Sequence, residues 1–306
     1  MEIRKASHAG SWYSGTESEL EKELEVLFKN TEFGPGELPK SRKLESRNII
    51  GAVSPHAGYY YSGECAAFTY FNIFKEKIPE TIILLGTDHV GYNKIGLMEE
   101  GIWRTPLGDL DIDSSLARNI CDISEIIISD RSAFFGNLFG SEHNIEIQLP
   151  FIKYCVKEQD VKIIPIKYGI RKFNRFDSFN ILEQAATDIA QSIKTMKRDV
   201  VIVASTDFSH EPVRNEKDLA VMKEKDKAVI NGFLALDPES TFKAALNTSV
   251  CGPQTITSLL LICKNLKATK AESLKYFTSY DRRGIFGPHT VGYFSGVLKL
   301  ENSIIM

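Results

Sequence analysis

The chain has 306 residues, 43% of them hydrophobic and 25% charged, with a formal net charge of −3. These are globular proportions and exclude a disordered or collagen-like chain. A nearly balanced charge offers nucleic acid no general attraction, so no nucleic-acid partner is expected.

Residues 1–5 lead straight into polar sequence, without the apolar stretch of a secretory signal, and no window reaches the ~20 apolar residues of a membrane helix. The five cysteines, Cys65, Cys121, Cys155, Cys251 and Cys263, are odd in number and include no CxxC pair. A reducing cytoplasm, with no membrane partner, is the expected setting.

An N-terminal loop carries Ser7, His8, Trp12 and Tyr13, after which Leu20, Leu24, Leu27 and Phe28 predict one face of a helix over 18–28. Gly34, Pro35 and Gly36, with the charged stretch 40–47, read as a mobile connection. Apolar, β-branched runs predict strands at 49–53, 81–85, 161–166 and 200–204. The segments between them are long enough to hold helices, the signature of right-handed crossovers and a largely parallel sheet. Helices are expected from Glu64 and over 255–263. Segments 274–280 and 291–298, joined by a short glycine-containing connection, predict an antiparallel pair at or joining the sheet edge. The fold class is therefore α/β, a mostly parallel central sheet flanked by helices with C-terminal antiparallel strands. α/β folds run to this length as one unit, and a single domain over 1–306 is expected.

Three of the six histidines lie just past a predicted strand: His56, His89 and His210. In an open parallel sheet the carboxyl ends of the strands share one edge, where ligands bind. Pro55 ends the first strand and fixes the loop from which His56 emerges, with Gly58 allowing a close turn. Asp88 beside His89 either orients a ligand imidazole or caps a surface turn at Gly91 and Asn93. Asp207 and His210, three apart, make an acid–base pair or half a metal site if the loop turns helically; otherwise they begin a capped helix and a charged segment, 211–227. Cys251 precedes Gly252 and Pro253 at the positive end of the 255–263 helix, where the dipole favours a thiolate. The other four cysteines read as small core filler.

These motifs resemble those of the Memo family, whose fold is similar to the class III extradiol ring-cleavage dioxygenases. The match runs through SHAGSWY from Ser7, PHAGYYYSG from Pro55, GTDHV from Gly86, RTPLGDL from Arg104, EHNIEIQLP from Glu142, STDFSH from Ser205 and CGP from Cys251. The resemblance implies that His56, His89 and Cys251 form a metal-binding trio, with Asp207, His210 and His143 in the same pocket and His8 and Trp12 packed near it. It implies iron or copper as the metal, with zinc also suited to the donors. In the ring-cleaving enzymes a carboxylate stands where this chain has a thiol, and Asp88 stands where relatives can carry a second histidine. That acid is expected to make the pocket more anionic.

Three functions follow. The first is a metal-binding protein, redox-active under some conditions, that sequesters or delivers iron or copper. The second is a non-haem iron dioxygenase acting on a small aromatic substrate, with Asp207 or Glu142 as the carboxylate ligand and His210 as acid or base. The third is a peptide-binding scaffold, in which Tyr59, Tyr60 and Tyr61 line a groove rather than pack on the next helix.

Overall fold

The computed structural model describes residues 2–39, 46–136, 141–157, 159–169 and 175–301. Of the charged connection expected at 40–47, residues 40–45 lie outside them.

A short strand β1 (Ile3–Arg4) precedes α1 (Glu17–Lys29), which Thr16 caps and which buries Leu20, Leu24, Leu27 and Phe28 as the spacing predicts. The buried run β2 (Ile49–Ser54) stops at Pro55, and α2 (Tyr59–Phe74) follows after one tight turn. The helix begins at Tyr59 rather than Glu64, because Gly58 serves as its N-cap and Tyr59 N–H donates to Trp12 O at 2.9 Å. The strand β3 (Thr81–Thr87) is buried throughout. Between it and the next core strand lie β4 (Ile95–Leu97), β5 (Ile102–Thr105), β6 (Gly108–Asp111), α3 (Ser114–Ile123), β7 (Ile127–Ser129), α4 (Ser132–Phe135) and α5 (Leu149–Val156). Then come β8 (Lys162–Tyr168), α6 (Arg175–Met196), β9 (Val200–Ser205), β10 (His210–Val213), α7 (Glu216–Leu234), α8 (Pro238–Leu246) and α9 (Pro253–Asn265). The chain closes with β11 (Lys270–Thr278), α10 (Ser279–Arg283) and β12 (Gly287–Lys299).

The large sheet has the order β10-β12-β2-β9-β3-β8-β4-β7, with β11 paired to β12 outside that path. The four central strands, β2, β9, β3 and β8, are parallel, whereas β12 pairs antiparallel with β2, β10 and β11, and β4 antiparallel with β8. The expectation of a mostly parallel sheet thus holds for the core and not for the edges. The C-terminal pair is antiparallel and joins the sheet through β2, but its connection holds a helix as well as glycine. β1, β5 and β6 form a separate small sheet.

Helices cover the sheet. The helix α2 packs on β2 and β12 and carries α1 and α5, while α9 packs on β2, β3 and β9 and carries α6 and α8. α9 comes close enough that a Cβ at Gly51 would sit 2.5 Å from Cys263 Sγ, so only glycine fits that strand position. Cys65 and Cys263 are buried as expected; Cys121 and Cys155 are half-buried and pack against the core. No helix of the described residues is long and apolar enough to cross a membrane.

Candidate metal centre

The parallel strands deliver side chains to one edge, as the topology requires. β2 ends at Pro55-His56, β3 at Asp88-His89 and β9 at Thr206-Asp207, while Cys251 stands just before the Gly252 N-cap of α9. The elbow after Cys251 is tight: a Cβ on Gly252 would lie 2.3 Å from Thr255 Oγ1, and Gly252 N–H donates to Thr206 Oγ1 at 2.9 Å. Cys251 N–H donates to Asp207 O at 3.2 Å, which ties the helix start to the β9 loop. One donor atom from each of His56, His89 and Cys251 lies within 4.8 Å of the others.

Hydrogen bonding fixes which imidazole nitrogen is available. The single proton of Ser205 Oγ goes to Asn144 O at 2.6 Å, so Ser205 Oγ accepts from Gln148 Nε2 at 2.9 Å and from His56 Nδ1 at 3.2 Å. His56 is thereby the Nδ1–H tautomer, and its buried Nε2 has no hydrogen-bond partner among the described residues. Burial, then the neighbouring His89, holds His56 below the ordinary imidazole range, so that nitrogen keeps its lone pair. In the same way His89 Nδ1 donates to Glu142 Oε1 at 2.9 Å, which leaves the ring's lone pair on Nε2. Two imidazole lone pairs, one of them buried, beside a thiol suit a borderline or soft cation.

Glu142 organises this side of the site. It also accepts from His89 N–H at 3.0 Å and His143 N–H at 3.1 Å, and it pairs with Lys167 Nζ at 3.1 Å. Burial pushes its carboxyl up, but the bond from His89 and the charge of Lys167 hold it well below the usual carboxylate range. Lys167 is fully buried on β8, pairs with Asp88 Oδ1 at 2.9 Å and donates to Ala133 O at 3.0 Å. His89, Glu142 and His143 also offer donors within 4.8 Å of one another, yet the ammonium beside Glu142 opposes a second cation there.

The remaining expected residues gather at the same place. His210 opens β10 rather than a helix; the helix waits for the Asn215 cap of α7. Its ring nitrogens each lie 3.8 Å from Cys251 Sγ, and Nε2 lies 4.0 Å from Asp207 Oδ2. Asp207 accepts His56 N–H at 2.7 Å, and burial pushes its carboxyl up. His143 stacks on His89 at 4.6 Å and lies tilted against Trp12 at 4.2 Å, and burial followed by the neighbouring His56 and His89 lowers it to about 3. His8 packs edge-on against Trp12 at 5.6 Å. A cavity of about 880 Å³ opens over these groups.

Two expectations change. Asp88 does cap the turn, accepting from Val90 N–H at 3.1 Å and Gly91 N–H at 2.8 Å, but it is buried and its charge is offset by Lys167. It is not among the described residues that line the cavity, so its carboxylate does not face the ligand space. Of the three tyrosines, Tyr59 is buried with its hydroxyl on Ile147 O, Tyr60 is exposed, and Tyr61 lines the cavity. Lys167 escaped the sequence reading, although a lysine inside the apolar run of β8 was its signal. Arg283 and His289, also on the cavity wall, escaped it with no motif to mark them.

Beneath the N-terminal loop, Glu146 accepts from Arg4, from His8 N–H at 2.7 Å and from Tyr13 hydroxyl at 2.9 Å. Burial raises its carboxyl, but the bond from His8 and the Arg4 charge bring it down to about 2. A carboxyl lowered on folding contributes stability above its unfolded pKa near 4.5, and that contribution is lost as pH falls toward 2. Denaturant titrations should show wild type losing stability more steeply over that window than Glu146→Gln, with the two curves converging at its acid end. Parallel curves would mean that the charge of Glu146 contributes nothing.

Fold and site together define an α/β protein with a histidine- and cysteine-lined pocket at the carboxyl edge of its parallel strands. A family profile described as Memo-like protein matches residues 4–297, and the chain belongs to the Memo family. A MEMO1 family protein of Desulfurococcus amylolyticus is 38% identical over 296 residues, covering 96% of this chain and 98% of that protein. One from Methanopyrus kandleri is 32% identical, covering 97% and 99%. An uncharacterized protein of Escherichia coli of known crystal structure aligns over 83% of this chain and all of its own, at a TM-score of 0.46 and 11% identity.

Proposed function

We propose that the chain binds one first-row transition metal ion, iron or copper, through His56 Nε2, His89 Nε2 and Cys251 Sγ. The observation that carries this reading is the buried, unpartnered Nε2 of His56, facing a second lone-pair nitrogen and a thiol within 4.8 Å. An unsatisfied buried acceptor costs about 1–3 kcal/mol, and a metal bond relieves that cost. Zinc suits the same donors; two imidazoles and a thiolate favour softer ions over magnesium or calcium.

Bound there, iron or copper would supply one-electron chemistry beside a ligand cavity. The chain's own part is to hold both imidazoles in the ligating tautomer, through Ser205 and Glu142, and to set His210 between the thiol and Asp207. His210, Asp207 and His143 are the groups placed to move a proton at a ligand in this cavity. The dioxygenase-like alternative needs a carboxylate ligand, and Glu142 is committed to His89, His143 and Lys167, which leaves Asp207 for that role. Storage, delivery or conditional redox work suits the thiol better than ring cleavage, since a thiolate beside iron and oxygen oxidises readily.

Cobalt(II) loading tests the donor set. Wild type should show the near-ultraviolet charge-transfer band of a thiolate–cobalt bond, and Cys251→Ser should lose it. A band that persists in the serine variant would remove Cys251 from the site.

A further inference from the structure

Part of the cavity wall comes from α10 and the chain entering β12: Arg283, Ile285, Phe286 and His289. The two arginines of α10 differ in what they meet. Arg282 turns onto the body of the protein and donates to Glu64 Oε1 at 2.8 Å. Arg283 lies over the face of Tyr61, 5.6 Å from the ring centre, and enters no ion pair among the described residues. Its charge acts on the phenol of Tyr293, another lining residue.

The guanidinium is carried on a firm support. Thr278 and Asp281 form a reciprocal capping box at the start of α10, Asp281 pairs with Lys223 at 2.7 Å, and Gly284, at φ 67°, turns the chain sharply after Arg283. Phe286 stacks on Tyr280 at 4.4 Å, and Ile285 is left exposed at the cavity lip. Trp12, Tyr61 and Phe286 thus line the same cavity as Arg283.

Charge narrows the ligand. Among the described residues Asp207 is the only carboxylate that lines the cavity, buried and engaged by His56 N–H, and no lysine lines it. One planar guanidinium matches one carboxylate as a two-pronged pair, whereas phosphoryl groups are taken by clusters of cations.

We propose that Arg283 and the aromatic lip form the acid-binding end of a ligand site for an aromatic monocarboxylate, its ring against Trp12, Tyr61 and Phe286. This deepens the ligand-pocket reading and rests on it for what the ligand's other end meets; the acid end stands on Arg283 itself.

The test is calorimetric titration of the metal-free full chain with benzoate and 3-phenylpropanoate, each beside its neutral amide. At least one acid should bind about tenfold or more tightly than its amide, the size of one charge-assisted pair. Arg283→Gln should abolish that advantage, and Arg283→Lys, which keeps the charge without the fork, should restore part of it. The side chain is exposed, so folding is not at stake. Equal affinity of acid and amide, no binding of either, or an advantage that survives in Arg283→Gln overturns the proposal. Metal content is measured separately on the same preparations. Wild type that takes no metal but prefers acids sinks the metal reading alone, and wild type that takes metal without that preference sinks this one alone.

Discussion

Lys167→Met is expected to lower the stability of the fold by about 3–5 kcal/mol, the usual cost of removing one partner from a buried charge pair. The side chain of Lys167 is wholly buried, and its ammonium lies 2.9 Å from Asp88 and 3.1 Å from Glu142, which are themselves buried. Methionine keeps the unbranched apolar stem while deleting the ammonium, so the loss reports mainly its charge and its hydrogen bonds, including the one to Ala133 O. Two carboxylates would then face each other's surroundings without a cation, and at least one would have to take a proton. Asp88→Asn together with Lys167→Met removes one charge of each sign and should recover most of the loss. Equilibrium denaturation of the four proteins in this cycle isolates the pair. A single-variant loss under about 1 kcal/mol would show that the pairing adds nothing beyond a surface ion pair.

His56→Ala is expected to weaken metal binding by more than about 100-fold, whereas Glu142→Gln should weaken it by about 10–100-fold, the range for partners that orient a ligand. The order follows from what each group does. His56 supplies a donor atom, whereas Glu142 holds the Nδ1 proton of His89 so that Nε2 faces the cavity. Glutamine retains an acceptor oxygen and loses the charge, so His89 stays oriented but becomes a poorer donor. Competition against a chelator of known affinity separates the two outcomes. Equal effects of the two substitutions would mean that His56 is not a ligand.

How much of this was legible in the sequence differs between elements. The four central strands were readable because parallel strands covered on both faces are continuous apolar runs, and Pro55 and Pro253 marked the turns that present His56 and Cys251. The edges were not. β4 to β7 are short strands of three or four residues without sustained alternation, and the register that joins β12 to β2 is a long-range choice that no local pattern encodes. The start of α2 was misplaced because its first turn, Tyr59-Tyr60-Tyr61, looks extended by composition, whereas the contact from Tyr59 N–H to Trp12 O and the Gly58 cap decide it. At the site, donor residues announced themselves by type and position after strands. Their supports, Ser205, Gln148, Glu142 and Lys167, act through contacts between segments 53 to 149 residues apart or through charge inside a strand, which spacing alone does not reveal.

The central claim is tested most directly by equilibrium dialysis of the purified chain against iron(II) or copper(I) without oxygen, followed by elemental analysis. One tightly held ion per chain is predicted for wild type and none for the variant carrying His56→Ala, His89→Ala and Cys251→Ala together. Equal metal content in the two proteins would contradict the account.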